Sequence, residues 1–178
     1  MKILLLLWSF MLVLGCQQNQ SPSESPADDP RMVENLIEDP FSETNLVDNI
    51  KLVGLDNKEV DLKQFAGKKI FLNFWATWCK PCILEMPSIE RAQKALAADG
   101  YIFLLASDES VDRINRFRAT RDFELNFIRV ETPFPDIGIL SLPTTLIIDE
   151  QGKIVMNQIG ALEWDAPEIL DKLRSLNM

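Results

Sequence analysis

The sequence predicts an α/β domain, a central mixed β-sheet flanked by helices and opened by an N-terminal β-hairpin. Three observations carry this. From Ile70 onward, apolar runs of strand type alternate with segments of helix-forming composition. Near the C-terminus two strand-type runs follow each other across a short turn, which adds an antiparallel pair and makes the sheet mixed. The hydrophobic fraction of 47% and charged fraction of 25% are those of a core-forming protein, and 178 residues suffice for one domain with extra length.

Residues 1–15 read as a targeting segment, with Lys2 followed by an almost wholly apolar stretch from Ile3 to Gly15. A membrane-spanning helix needs about 20 apolar residues, so this stretch suits a signal peptide. It ends in Val13-Leu14-Gly15-Cys16, which resembles the bacterial lipoprotein signal, although Leu14 is bulkier than usual there. A plain secretory signal and an uncleaved anchor are the alternatives. The expectation is lipidation at Cys16, which leaves Cys79 and Cys82 as the only free thiols. Residues 16–45 then form a flexible tether, because Gln17 to Pro26 is polar and rich in Pro and Ser. A short helix near Arg31 to Glu38 is compatible with the pattern, and a chain of this length spans roughly 30 Å.

The folded domain is expected over residues 46–178. Leu52 to Leu55, the turn Asp56-Asn57, and Val60 with Leu62 read as a hairpin. Ile70 to Trp75 is a buried strand. Residues 79–98 are helical and stop at Asp99-Gly100. Tyr101 to Ala106 is a second buried strand, Val111 to Arg121 a helix with arginines outward, and Phe127 to Val130 a short strand. Thr144 to Asp149 and Ile154 to Ile159 are joined by Glu150-Gln151-Gly152-Lys153, and Pro167 to Leu176 closes the chain as a helix. No internal repeat is present.

Net charge is -9 and no residue is histidine. An acidic chain without a basic stripe is a poor nucleic-acid binder. Imidazole catalysis and His-ligated metals are excluded, and no metal or other cofactor is expected.

The chemistry concentrates in Cys79 and Cys82. Disulfide exchange needs one thiolate that attacks and a second thiol that resolves the mixed disulfide. A helix N-terminus favours a thiolate through its unpaired N–H groups and its dipole. Helical periodicity starts at Cys79, and Pro81 falls in the first turn, where a missing N–H costs little. Cys79 is therefore the expected nucleophile and Cys82 the resolving thiol. A structural disulfide and half of a metal site are the competing readings, the latter short of further Cys or His ligands.

At about 100° per residue, Glu85 falls within an apolar arc shared with Cys82, Ile89, Ala92 and Leu96. Lys80, Glu90, Arg91 and Lys94 lie opposite. A carboxylate on a core face is costly unless used or paired. Burial would raise its pKa, which suits a group that takes the proton from Cys82. The alternatives are that Pro87 kinks the helix and turns Glu85 outward, or that Glu85 is a paired buried carboxylate only. Asn73 reads as a hydrogen-bonded core residue and Trp75 as core. Trp78 covers the sulfur or lines a substrate surface. Leu142-Pro143-Thr144 places a proline at a strand mouth, which invites a cis bond, although a trans proline is equally legible there.

Together Trp75-Ala76-Thr77-Trp78-Cys79-Lys80-Pro81-Cys82, Glu85-Met86-Pro87 and Leu142-Pro143-Thr144-Thr145 resemble the TlpA/ResA branch of the thioredoxin-like superfamily, over roughly residues 46–178. The resemblance implies a thioredoxin-like fold and a cis bond before Pro143. It further implies membrane-tethered reduction of protein disulfides outside the cytoplasm, on the periplasmic face or cell surface. Glu85 matches a functional acid of ResA-like proteins, and Asn73 stands where thioredoxin has a buried aspartate. Trp78, Lys80, Pro81, Leu142 and Pro143 would meet the substrate. The implied partners are protein disulfides, with apocytochrome c as the specific candidate, a membrane electron donor and the lipid anchor; the expected state is a monomer. An oxidase or isomerase, or a non-catalytic binding module on the same fold, are the other functions open to the sequence. One segment departs from the branch. Thr132 to Ile137 cannot form the regular helix usual before the cis-proline loop, because Pro133 and Pro135 are too close together.

Overall fold

The computed structural model describes residues 46–176. Cys16, the tether and the short helix near Arg31 to Glu38 lie outside the described residues. Seven strands form one sheet: β1 (Leu52–Gly54), β2 (Glu59–Val60), β3 (Lys69–Phe74), β4 (Tyr101–Ser107), β5 (Phe127–Val130), β6 (Thr144–Ile148) and β7 (Ile154–Ile159). Their spatial order is β2-β1-β5-β4-β3-β6-β7. The β3–β4 and β4–β5 pairs are parallel, and the others antiparallel. Among the described residues the α-helices are α1 (Leu46–Asn49), α2 (Lys80–Ala95), α3 (Val111–Ala119) and α4 (Pro167–Ser175). The mixed sheet and the opening hairpin are as expected. Helix α1, a single turn, has no counterpart in the sequence reading.

Strand alternation sorts the two faces. Ile70, Leu72 and Phe74 of β3 join Leu104, Ala106, Ile128, Leu146 and Ile148 in one apolar layer. Phe71 and Trp75 point the other way, with Phe103, Leu105, Phe127 and Ile147. The long helices cover that second face, through Met86, Ile89 and Ala92 of α2, Ile114 and Phe117 of α3, and Leu173 of α4. By the same alternation Asn73 points toward the helices rather than into the opposite layer.

Two elements add detail to the expected outline, and the first departs from it. Leu62 does not extend the hairpin but opens the 3-10 turn Leu62–Phe65, where the Asp61 side chain caps by accepting from the Lys63 amide. The segment with two prolines forms no regular helix, as expected, but does make the single 3-10 turn Phe134–Ile137. Pro133 stands at its N-cap and Pro135 within its first turn, and neither position needs an intrahelical N–H. Gly138, with φ of 77°, ends the turn in a left-handed conformation that favours glycine. The prolines thus exclude an extended helix without excluding a helical turn.

Candidate active site

Strand β3 runs straight into the cysteines. Trp75 and Ala76 are buried, the Cys79 amide donates to the Ala76 carbonyl at 3.0 Å, and Cys79 caps helix α2. The Cys79 Sγ accepts from the Cys82 amide at 3.3 Å. A sulfur held against a helix N-terminal N–H is where a thiolate is favoured. Cys79 and Cys82 are disulfide-bonded, with Cα atoms 5.3 Å apart. Pro81 lies in the first turn of the helix, and Cys79 retains 4% exposure against 0% for Cys82. Of the two cysteines, the N-terminal one is therefore the more exposed to a partner.

The surroundings divide into a surface and an interior. Trp78 is 69% exposed, so it presents a flat apolar surface rather than a lid on the sulfur. Lys80 and Pro81 are exposed beside it. The Leu142–Pro143 peptide is cis. Strand register pairs Phe74 with Thr144, which brings Pro143 to the sheet end where β3 leads into the cysteines. Leu142, half-buried, packs on the cluster that contains Cys79 and Cys82. The site residues named from sequence within the described residues therefore gather at one end of the sheet.

Glu85 is 3% exposed, so Pro87 does not turn it outward. Helix α2 carries Pro87 in its interior, on its exposed side, and runs on to Ala95. The Glu85 carboxyl accepts from three donors. Oε1 takes Asn73 Nδ2 at 2.9 Å, and Oε2 takes the Trp164 indole Nε1 at 3.0 Å and the Leu162 amide at 3.1 Å. Burial pushes its pKa above the usual carboxylate value, and the three hydrogen bonds oppose that rise only in part. A surface cavity lined by Leu84, Glu85, Ala161, Leu162 and Glu163 lies beside this residue. Glu85 is thus a buried acid of raised pKa, three residues after Cys82 on the same helix.

Sequence reasoning missed Trp164, Leu162, Ser88 and Thr145. Ser88 Oγ donates to the Glu85 carbonyl at 2.8 Å and accepts from the Trp164 amide at 3.1 Å. Thr145 Oγ1 accepts from Asn73 Nδ2 at 2.9 Å. It also missed Glu109, whose carboxylate accepts from the Thr77 amide at 2.6 Å and the Thr77 hydroxyl at 2.8 Å. This anchors the loop that delivers Cys79. The only signal for Thr145 was a polar residue within an apolar run, in register with Asn73.

Comparison with known proteins agrees with this picture. The Redoxin family pattern matches residues 40–173. The chain is 36% identical over 117 residues to a thiol-disulfide oxidoreductase ResA of Bacillus cereus, covering 63% of this chain and 66% of that one. It is 34% identical over 118 residues to the thioredoxin-like protein YneN of Bacillus subtilis (strain 168), covering 64% and 69%. So the chain spans about two thirds of the length of the curated relatives it matches. Among solved structures, the pneumococcal exposed lipoprotein thioredoxin of Streptococcus pneumoniae strain TIGR4 superposes with a TM-score of 0.59 at 29% identity, over 71% of this chain and 98% of that one. A thiol-disulfide oxidoreductase from Bacteroides vulgatus gives 0.62 at 26% identity, over 71% and 90%. The fold is thioredoxin-like.

Proposed function

This chain belongs to the Redoxin family, and from that premise we propose that it is an extracytoplasmic thiol–disulfide oxidoreductase that reduces protein disulfides through Cys79 and Cys82. The observation that carries the reading is the cysteine pair closed over the first turn of α2, with a buried carboxyl on the same helix behind it. In the reduced protein the Cys79 thiolate attacks a substrate sulfur, forming a mixed disulfide and expelling one substrate thiolate. Cys82 gives its proton to Glu85 and its thiolate attacks Cys79 Sγ. The bond between Cys79 and the substrate breaks, the second substrate thiolate leaves, and two electrons have passed to the substrate. Trp78, Lys80, Pro81, Leu142 and Pro143 are assigned to holding the substrate at the exposed rim.

The finer setting is part of the proposal. Cys16 is the lipidated residue and holds the domain at the extracytoplasmic side of a bacterial membrane, where a membrane-borne dithiol donor re-reduces it. Among the described residues no helix is long and apolar enough to cross a membrane. The lipoprotein reading is supported by the Val13 to Cys16 signal and by the lipoprotein nature of the pneumococcal relative. Apocytochrome c is the leading substrate, on the likeness of the motifs to ResA, and the protein acts as a monomer.

The deciding experiment is trapping. Cys82→Ala should accumulate mixed disulfides through Cys79, and mass spectrometry of the adducts names the substrates. Catalytic reduction of insulin by the wild type and its loss in Cys79→Ser are the expected accompaniment. Absence of turnover in the wild type would sink the enzyme reading. A reduction potential near thioredoxin's, about −270 mV, supports the reducing direction, and one near about −120 mV reverses it. Membrane association lost in Cys16→Ala tests the anchor.

A further inference from the structure

The proton that Glu85 receives has only one place to go. Oε2 is occupied by two donors, the Trp164 indole at 3.0 Å and the Leu162 amide at 3.1 Å. Neither can turn to accept, since an indole N–H and a backbone N–H only donate. The segment that carries them is tied to α2 by residues spaced three apart. Ser88 accepts from the Trp164 amide, and Arg91 donates to Glu163 at 2.7 Å and to both oxygens of Asp165. Glu85, Ser88 and Arg91 thus grip residues 162–165 along one helix edge, and this grip holds the two donors on Oε2.

Oε1 meets a different kind of partner. Its contact is Asn73 Nδ2 at 2.9 Å, an amide that carries both a donor and an acceptor. Asn73 is fully buried, and among the described residues its Oδ1 has no hydrogen-bond partner. The same Nδ2 also donates to Thr145 Oγ1 at 2.9 Å, and a hydroxyl can donate as readily as accept. Turning the amide over replaces Nδ2 by Oδ1 at unchanged heavy-atom positions. Oδ1 then accepts from a protonated Oε1 and from the Thr145 hydroxyl. In each state one amide atom lacks a partner, Oδ1 beside the carboxylate and Nδ2 beside the acid. The two states are therefore similar in hydrogen-bond count.

We propose that Glu85 takes up the Cys82 proton on Oε1, and that Asn73 follows it by turning its side-chain amide. It donates to the carboxylate and accepts from the acid. The step breaks Cys82 Sγ–H and forms Glu85 Oε1–H, leaving the Cys82 thiolate free to attack Cys79 Sγ of the mixed disulfide. Asn73 acts on the reaction through Glu85, as a positioning residue, and the inference rests on the exchange chemistry proposed above. Among the described residues these charged and titratable groups lie on the elements packed against Glu85. Helix α2 brings Cys79, Cys82 and Arg91, and Arg91 is engaged by Glu163 and Asp165. Glu163 lines the surface cavity beside Glu85. Strands β3 and β6 present the uncharged Asn73 and Thr145, and the 162–164 segment the uncharged Leu162 and Trp164.

Infrared difference spectra between acid and alkaline pH test which oxygen is protonated, with the Glu85 band identified by its loss in Glu85→Gln. With the proton on Oε1, the remaining carbonyl is Oε2. Its stretch should move to higher wavenumber in Trp164→Phe, which removes a donor, and stay in place in Asn73→Leu. Arg91→Ala, which loosens the segment from the surface, should move the band in the same sense should Trp164→Phe not fold. The opposite pattern, a band moved by Asn73→Leu alone, places the proton on Oε2 and overturns the proposal. The kinetic arm uses the coloured aromatic disulfide 5,5′-dithiobis(2-nitrobenzoate), which releases one thiolate on attack and a second on resolution. Asn73→Leu should slow the second release at least about tenfold, a part of the roughly 10²–10⁴-fold that acid–base catalysis contributes, with the first changed less than about twofold. Equal slowing of both releases, or of neither, refutes the role of Asn73. The infrared arm needs no exchange activity, so its failure is separable from failure of the cysteine chemistry.

Discussion

Removing the Glu109 carboxylate should unseat the loop that delivers Cys79. The side chain of Glu109 is 9% exposed, and its two oxygens hold the Thr77 amide at 2.6 Å and the Thr77 hydroxyl at 2.8 Å. Arg113 Nε adds an ion pair at 2.8 Å and itself donates to Thr77 Oγ1 at 3.1 Å. Hydrogen bonds to a charged acceptor contribute about 1.5–3 kcal/mol each, and they do not add when they share one group. Arg113 is mostly solvent-exposed, so its pair is worth little on its own. Glu109→Ala leaves a half-buried Thr77 N–H without its acceptor, for a total loss of about 3 kcal/mol. For a domain of this size that is roughly a 10 °C fall in Tm.

Glu109→Gln keeps one carbonyl oxygen for the Thr77 amide and turns an NH₂ toward the Thr77 hydroxyl, which can accept. Its loss should be smaller, about 1 kcal/mol. Thr77→Val completes a double-mutant cycle with Glu109→Ala, and the coupling should be about 1 kcal/mol. The assay is equilibrium urea unfolding, with the slope checked for constancy so that midpoints report stability. A loss below about 1 kcal/mol for Glu109→Ala, or additive effects in the cycle, would show that the carboxylate does not hold the loop.

Glu85 should make the fold less stable as pH rises. Its pKa is raised by burial, so the folded state holds the proton more tightly than the unfolded chain does. Stability must then fall with rising pH, from the unfolded carboxyl value up through the folded one. The unfolding free energy of the wild type minus that of Glu85→Leu should decline across that window, and a flat or rising difference contradicts the raised pKa. Trp78→Ala should change stability by less than about 0.5 kcal/mol, because the ring is mostly exposed. It should lower kcat/KM for a protein disulfide while leaving attack on a small aromatic disulfide unchanged; equal loss on both would remove Trp78 from the substrate surface. Arg91→Ala should cost about 1 kcal/mol or less in urea, since its salt bridges are exposed.

What was legible in the sequence were features whose physical cause is local. The helix start at Cys79 follows from a strand end, a turn and Pro81 within a few residues. The burial of Glu85 follows from its position on the apolar arc of α2, and the Asp99-Gly100 stop from a left-handed glycine with φ of 77°. The effect of two closely spaced prolines was local too: they exclude a regular helix, and a single 3-10 turn forms with Pro135 in its first turn, where proline is at home.

The partners of Glu85 were not legible, because no local rule reaches them. Trp164 lies 79 residues away in sequence and Leu162 77. Period-2 alternation turns Asn73 toward the helix face, but only the β3–β6 register sets Thr145 beside it. The strand alone identifies Asn73 as a hydrogen-bonded core residue and leaves its partners unnamed. A buried carboxyl and a buried amide in adjacent elements are better read together, since each alone is costly and the pair is not. Here one amide serves one carboxyl oxygen while two donors from a distant segment occupy the other. That asymmetry, invisible in either element alone, is what the proposed protonation of a single oxygen rests on. It also makes the acid beside Cys82 a joint property of α2, β3 and the segment at 162–164.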